Sequence, residues 1–333
     1  MGGSMKILYH NDADGHGAAA IVLREFANSW ILVTKDDLIE YSHSGEIVID
    51  DDKINEGEFV FIVDLALDDA VMTAIKKFLK KKCMIVHIDH HIGGQRYLES
   101  MDDGDKILYE SVTSFFNTNF SGCMLSWLYS NMTEEDRKHP NDVPFDFTED
   151  FSTVRFHPDE KASQRDVHIP IAVRLIDDND IWRNKFLNSK YFALAYQLHD
   201  NSPIGENNFW NDLLYGNDRG VFDYIHEGEI IYQYKEKENL RIQNNGFEYE
   251  IDGVKGFIVN HSIGNSRIFG DKFEQYDFVC KYSYDGKKWR YTFYSKEAST
   301  FDCAEICKKY FNGGGHVHAA GGWLEYNYFN DEL

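Results

Sequence analysis

The sequence predicts an α/β protein of two domains, a larger N-terminal one on a mainly parallel sheet and a smaller C-terminal α/β one. Three observations carry this. Short apolar runs alternate with helical segments in the first part of the chain, the pattern of parallel strands joined by crossover helices. The chain has 333 residues, enough for about two domains. Its texture then changes to closely spaced strand-like runs followed by one helix. The expected boundaries are 5–200 for the first domain, 201–235 for a linker region and helix, and 236–330 for the second.

Lys6–Tyr9 is a short apolar run that ends in His10-Asn11-Asp12-Ala13-Asp14-Gly15, and Ala18–Phe26 reads as a helix. Phe59–Val63 is a buried strand ending at Asp64. Asp68–Lys82 reads as a helix with Asp68 or Asp69 as its cap. Met84–Ile88 is a third strand, ending at Asp89, and Gly122–Ser130 a further helix. Residues 131–168 are polar and irregular and are expected to be an insertion or lid. Ile169–Ile176 starts a buried helix leading into Asp177-Asp178-Asn179-Asp180, and a helix is expected from about Phe222 to Arg241. Phe247–Ile251, Lys255–Asn260, Phe278–Tyr284 and Trp289–Tyr294 read as strands, with Asp285-Gly286 as a hairpin turn. Thr300–Tyr310 is a helix that runs into Gly313-Gly314-Gly315-His316.

Asp and Glu number 56 against 34 Lys and Arg, a formal net charge of −22. Duplex nucleic acid is held through Lys and Arg contacts to phosphate, so this balance disfavours long duplex partners and favours small phosphate compounds. Five Cys at 83, 123, 280, 303 and 307 form no CxxC pair, which suits free thiols in a reducing cytoplasm. No apolar run approaches a membrane span, no signal peptide is visible, and Met1–Ser4 reads as a cloning remnant ahead of a native Met5. A cytoplasmic location is the expectation.

Five clusters bear chemistry. His10, Asp12 and Asp14 follow the first strand; carboxylates suit hard divalent cations, and an added imidazole shifts the preference toward Mn²⁺ or a similar metal. Gly15 permits a turn, and Gly17 and Ala18 leave room for a phosphate near a helix N-terminus. Asp64 is a carboxylate at the same sheet edge, where a shared carboxylate can bridge two ions. In His87-Ile88-Asp89-His90-His91, one of the adjacent histidines can bind a metal and the other face a phosphate, while His87 points inward. Asp177, Asp178 and Asp180 offer three carboxylates in four residues. Gly313–Gly322 exposes backbone N–H groups, and His316 there can bond a phosphate. Parallel sheets bind ligands beyond the carboxyl ends of their strands, where the first three clusters lie. A rival grouping of Cys303, Cys307, His316 and His318 is compatible with structural zinc, though its spacing matches no common finger.

HNDADGHGA, the FIVD strand end, HIDHH and GGGHVHAAGG, in this order, resemble the signatures of the DHH/DHHA1 phosphoesterases over roughly residues 5–325. The resemblance implies a larger catalytic DHH domain, a smaller substrate-binding DHHA1 domain and a cleft site between them. It implies two Mn²⁺ ions, with Mg²⁺ or Co²⁺ as alternatives. By the same resemblance, His10, Asp12, Asp14, Asp64, His90 and Asp178 are the expected metal ligands, with Asp180 and Asp177 ranked behind Asp178. Asp64 is the expected bridge, His91 a phosphate contact, and His316 with Gly313, Gly314 and Gly315 the loop that grips substrate. Tyr294 stands where many members have a substrate-contacting Arg, so Arg267 or Arg290 is expected to supply the charge, or Tyr294 to stack on a base. The implied activity is hydrolysis of short oligonucleotides or dinucleotides to nucleoside monophosphates, with Asp64, His91 and His316 as catalytic residues. The alternatives are a cyclic-dinucleotide or other small-phosphoester hydrolase and a catalytically silent nucleotide-binding regulatory module. The expected partner is a short oligonucleotide or small nucleotide, with no membrane; a homodimer is left open.

Overall fold

Each strand of the N-terminal sheet feeds apolar side chains alternately to its two faces, and that period of two explains why the sheet is covered on both sides. The computed structural model describes residues 4–26, 33–41, 54–157, 165–205, 209–216 and 219–330. Residues 1–3 of the expected remnant, 158–164 of the expected insertion, and 206–208 and 217–218 of the expected linker lie outside them.

The chain divides into two units, Met1–Ile231 and Tyr232–Leu333. In the first, β1 (Met5–His10), α1 (Ala13–Phe26), β2 (Leu38–Tyr41), β3 (Phe59–Val63), α2 (Asp69–Lys80), β4 (Met84–Asp89), α3 (Ile92–Ser100), α4 (Asp103–Tyr109) and β5 (Thr113–Phe116) follow one another. The strands form a five-stranded sheet in the order β2-β1-β3-β4-β5, parallel throughout. Ile7, Phe61, Val63 and Ile88 pack into a core with α1 and α5 (Gly122–Ser130). Leu8, Val60, Ile62 and Ile85 face the other way, onto Val71, Ile75 and Phe78 of α2. Asp68 caps α2, accepting from the Val71 N–H at 2.8 Å.

Two expectations change here. Helix α1 begins at Ala13 rather than Ala18, because Asp12 caps it: its Oδ1 accepts from the Gly15 N–H at 2.9 Å and its carbonyl from the His16 N–H at 3.0 Å. Asp14 therefore lies in a first helical turn. The irregular insertion contains a three-stranded antiparallel sheet, β6 (Phe145–Phe147), β7 (Thr153–Phe156) and β8 (Arg165–His168). Val154 and Phe156 of β7 are buried in the main core, so this segment is part of the domain body. The unit continues with α6 (Ile171–Asp180), α7 (Ser189–Tyr196) and α8 (Phe209–Tyr215), the last within the expected linker. Helix α9 (Arg219–Asn244) carries the chain across the boundary between the units.

The second unit holds β9 (Phe247–Ile251), β10 (Val254–Asn260), α10 (Lys272–Gln275), β11 (Phe278–Tyr284), β12 (Trp289–Ser295), α11 (Cys303–Tyr310), β13 (Gly314–His316) and β14 (Ala319–Leu324). Its sheet runs β13-β14-β12-β11-β10-β9, with β10 and β11 parallel and the other pairs antiparallel. Asp285 accepts from the N–H groups of Lys287 and Lys288, and Gly286 takes φ 92°, closing the β11–β12 hairpin. Among the described residues, no helix is long and apolar enough to cross a membrane.

Candidate metal centre

In a sheet of order 2-1-3-4-5 the connections leave in opposite directions from β1 and β3, which opens a crevice beyond their carboxyl ends. His10 is the last residue of β1, Asp64 follows β3, and His90 follows β4, so three candidate ligands share that edge. Asp64 takes a left-handed φ of 54°, a conformation that costs about 1–3 kcal/mol for a non-glycine residue. Its N–H is held by the Ile88 carbonyl at 2.9 Å.

His90 is the hub. Its Nε2 lies 3.1 Å from Asp64 Oδ1, 3.6 Å from Asp14 Oδ2 and 3.6 Å from Asp180 Oδ2. On the other side of Asp64, His10 Nδ1 lies 2.7 Å from Asp12 Oδ2 and 3.8 Å from Asp64 Oδ2. Three groups therefore have ligand atoms within 4.8 Å of one another: His10 with Asp12 and Asp64, Asp14 with His90 and Asp180, and Asp64 with His90 and His91. Asp64 belongs to two carboxylate–imidazole sets, the position expected of a bridge.

Asp14 is fixed by a helix end. Its two oxygens accept the Gly122 N–H at 2.6 Å and the Cys123 N–H at 2.8 Å, at the N-terminus of α5. Gly122 must be glycine for this approach: a Cβ there would sit 2.7 Å from Asp64 Cβ. Nothing local in the sequence marks Gly122 as part of the site. Gly17 and Ala18, expected to leave room for a phosphate, are buried against other structure instead; a Cβ on Gly17 would meet Cys123 Sγ at 2.7 Å.

In the fourth cluster the expected ligand, Asp178, is engaged elsewhere. Asp178 is fully buried, and its oxygens accept the Lys185 N–H at 2.7 Å, the Phe186 N–H at 3.2 Å and the Ser189 hydroxyl at 2.7 Å. It ties the loop after α6 to the start of α7. Asp177 accepts the Ser121 N–H and Arg183, each at 2.8 Å. Asp180 is the carboxylate of this segment that reaches the cluster.

The electrostatics of the cluster are those of crowded anions. Burial, then Asp14, Asp12 and Asp180, push the Asp64 carboxyl well above the ordinary range. Burial, then Asp14 and Asp12, lift Asp180 to about 9. Asp64 Oδ2 is buried without a hydrogen-bond partner among the described residues. An unpartnered buried carboxylate oxygen among like charges is costly, and a divalent cation relieves both penalties. The donor set of imidazole nitrogens and carboxylate oxygens fits such an ion.

His91 differs from its neighbour. Its Nδ1 lies 2.7 Å from Asp89 Oδ1; burial opposes the charged ring, but this bond and the Asp89 charge outweigh it and raise the His91 pKa. Burial wins at His90 and lowers it. His87 is structural, with Nδ1 2.7 Å from the Tyr109 hydroxyl and Nε2 2.9 Å from the Leu65 carbonyl.

The remaining expected site residues lie in the second unit. His316 is exposed on edge strand β13, whose partner is β14. The neighbouring glycines serve that hairpin rather than an open loop: a Cβ on Gly313 would meet the Gly321 carbonyl oxygen at 2.0 Å, and Gly315 takes φ 146°. Gly314 has open space around it. Tyr294, on β12, is half-buried against a small core with Phe257 and Val279. Arg267 sits in a short turn, Ser266–Phe269, and Arg290 is held by Asp285 at 2.6 Å. Cys303 and Cys307 are buried core residues of α11, and Cys303 Sγ contacts Ser295 Oγ at 3.5 Å. Among the described residues, no metal-sized group includes them.

No protein-family model matches the chain, and no curated protein matches it either. Solved structures do. The DHH domain of a member of a family of ribosomal proteins aligns with 97% of this chain and 83% of its own, at 14% identity and a TM-score of 0.51. A pGpG-specific phosphodiesterase from Vibrio cholerae aligns over 98% and 94%, at 13% identity and a TM-score of 0.48. The exonuclease RecJ bound to manganese aligns over 97% and 86%, at 12% identity and a TM-score of 0.44. The first of these carries the fold, and the chain has the fold of a DHH-domain protein.

Proposed function

We propose that this chain is a metal-dependent phosphodiesterase that hydrolyses short oligonucleotides or dinucleotides to nucleoside monophosphates. The observation that carries the reading is the convergence of His10, Asp12, Asp14, Asp64, His90 and Asp180 at the sheet's switch point, with the Asp64 oxygen unpartnered at its centre. These six residues would hold two divalent ions, for which Mn²⁺ suits the mixed nitrogen and oxygen donors. A pair of such ions, when bound, brings the pKa of a water toward neutrality and offsets the charge that develops in an in-line displacement at phosphorus.

The chain's own residues do the rest. Asp64 is held by its backbone in the position that both ligand groups share. His91, whose pKa Asp89 raises and whose Nδ1 Asp89 engages, offers its outer ring nitrogen to a phosphate oxygen as negative charge grows there. Asp14 is locked by the start of α5 and needs no reorganisation. In the second unit we assign substrate gripping to His316 and Gly313–Gly315, with Arg267 and Tyr294 as further contacts.

A substrate panel tests the reading. With Mn²⁺ present, a 5′-phosphorylated dinucleotide should be converted to mononucleotides, while duplex DNA should be a poor substrate. Opening of a cyclic dinucleotide to the linear form, with no mononucleotide product from either, would move the assignment to the cyclic-dinucleotide alternative.

A further inference from the structure

Beside the metal cluster lies a cavity of about 480 Å³, and Asp12, Asp14 and Asp180 of that cluster are among its lining residues. Its lining also carries four carboxamides, Asn11, Asn179, Gln197 and Asn201, together with His16 and Tyr196. Among the described residues that line it there is no Lys or Arg. The cavity is larger than hydrated ions require, since six waters occupy roughly 180 Å³ at about 30 Å³ each. Its size is that of an organic-ligand site.

The lining chemistry selects what fits. Phosphate oxygens are best met by cationic or backbone N–H donors. Carboxylates and amides without cations give a second phosphate little to hold. A carboxamide presents a donor and an acceptor on one plane, which matches a base edge or a ribose hydroxyl. Asn201 is set in place before any ligand arrives. Its Oδ1 lies 3.0 Å from His16 Nδ1, its Nδ2 donates to the Tyr196 carbonyl at 3.4 Å, and its own carbonyl accepts from Trp210 Nε1 at 2.8 Å. The Tyr196 hydroxyl also meets His16 Nδ1 at 3.0 Å, so two nearly buried rings brace this wall. One Nδ2 hydrogen and one Oδ1 lone pair of Asn201 are left to serve a ligand.

We propose that this carboxamide-lined cavity seats the nucleoside adjoining the scissile phosphate, and that it restricts the enzyme to nucleotide phosphodiesters as against inorganic polyphosphates. The inference rests on the phosphodiesterase reading and adds the subsite that chooses the substrate. Asn179, Gln197 and Asn201 are the specificity-determining residues.

Two arms test it. In EDTA, saturation-transfer NMR should show adenosine binding to the wild-type protein, with inorganic tripolyphosphate failing to displace it. Asn179→Ala/Gln197→Ala should weaken adenosine binding at least fivefold. Gln197→Glu keeps the volume and removes the donor, so it should weaken binding too, which guards against a folding artefact in the double variant. With Mn²⁺, the ratio of kcat/KM for a dinucleotide to that for bis(p-nitrophenyl) phosphate should fall about tenfold in the double variant. Equal adenosine binding by wild type and both variants, displacement by tripolyphosphate, or an unchanged ratio would overturn the proposal. Loss of all phosphodiester turnover with adenosine binding intact would instead remove the phosphodiesterase reading and leave the nucleoside site standing.

Discussion

Asp177, Asp178 and Asp180 lie within four residues of one another and are engaged by different partners. Asp178 accepts three hydrogen bonds from the chain that follows it, and Asp180 joins the metal cluster. Asp178→Ala should therefore destabilise the fold by about 1–3 kcal/mol, because it leaves buried donors unpaired. Asp180→Asn should leave the metal-free melting temperature equal or higher, since it removes a crowded carboxyl, while Mn²⁺ affinity falls at least tenfold. Thermal melts with and without Mn²⁺, together with calorimetric titration, separate the two outcomes. The sequence puts Asp178 ahead of Asp180, because the groups that occupy Asp178 come from Lys185, Phe186 and Ser189 in a loop with no signal of its own. His10, Asp12, Asp14, Asp64 and His90 can be singled out in the sequence as candidates because each stands at or just beyond the end of an apolar strand, and the fold brings their ligand atoms together.

At the level of elements, the start of α5 is the joint on which the centre turns. Its first two N–H groups hold Asp14, and Gly122 packs against Asp64. Gly122→Ala forces a Cβ into that contact, so a cost of about 1–3 kcal/mol is expected from overpacking. Mn²⁺ affinity should fall with it, because both carboxylates must shift. Urea unfolding and metal titration of the same variant read both effects. The sequence marked α5 as a helix but not as part of the site, since close approach by a glycine leaves no trace in periodicity. The β6–β8 sheet was overlooked for another reason. Its apolar alternation, Phe145/Phe147 and Val154/Phe156, is short and set among acidic residues, so the polar background hid it.

For the molecule as a whole, charge decides how the metal centre affects stability. Asp64 and Asp180 have folded pKa values raised above the unfolded value, and Asp177 is raised by burial to about 6. A raised carboxyl contributes stability that is present below its unfolded pKa and lost as pH rises through the folded one. The contribution of these three carboxyls to the metal-free protein should therefore fall between about pH 4 and about pH 9, and the melting temperature should be lower at the upper end of that window. Saturating Mn²⁺ should reverse that slope, with a gain of about 2.7 kcal/mol at a concentration 100 times Kd. A pH series of melts in EDTA and in Mn²⁺ checks the sign. The α/β class and the two-part organisation were readable because the strand–helix alternation and the later strand-rich texture each extend over many residues. The expected linker region and helix, 201–235, contains the boundary between the units, and α9 runs through it as one continuous helix.

The most direct test of the metal-dependent reaction is Mn²⁺-dependent hydrolysis of a 5′-phosphorylated dinucleotide by wild-type and Asp64→Ala protein after EDTA dialysis. Turnover should return on adding Mn²⁺ to the wild type and stay at least a thousandfold lower in Asp64→Ala. Equal rates in the two proteins, or full wild-type activity in EDTA, would contradict the account.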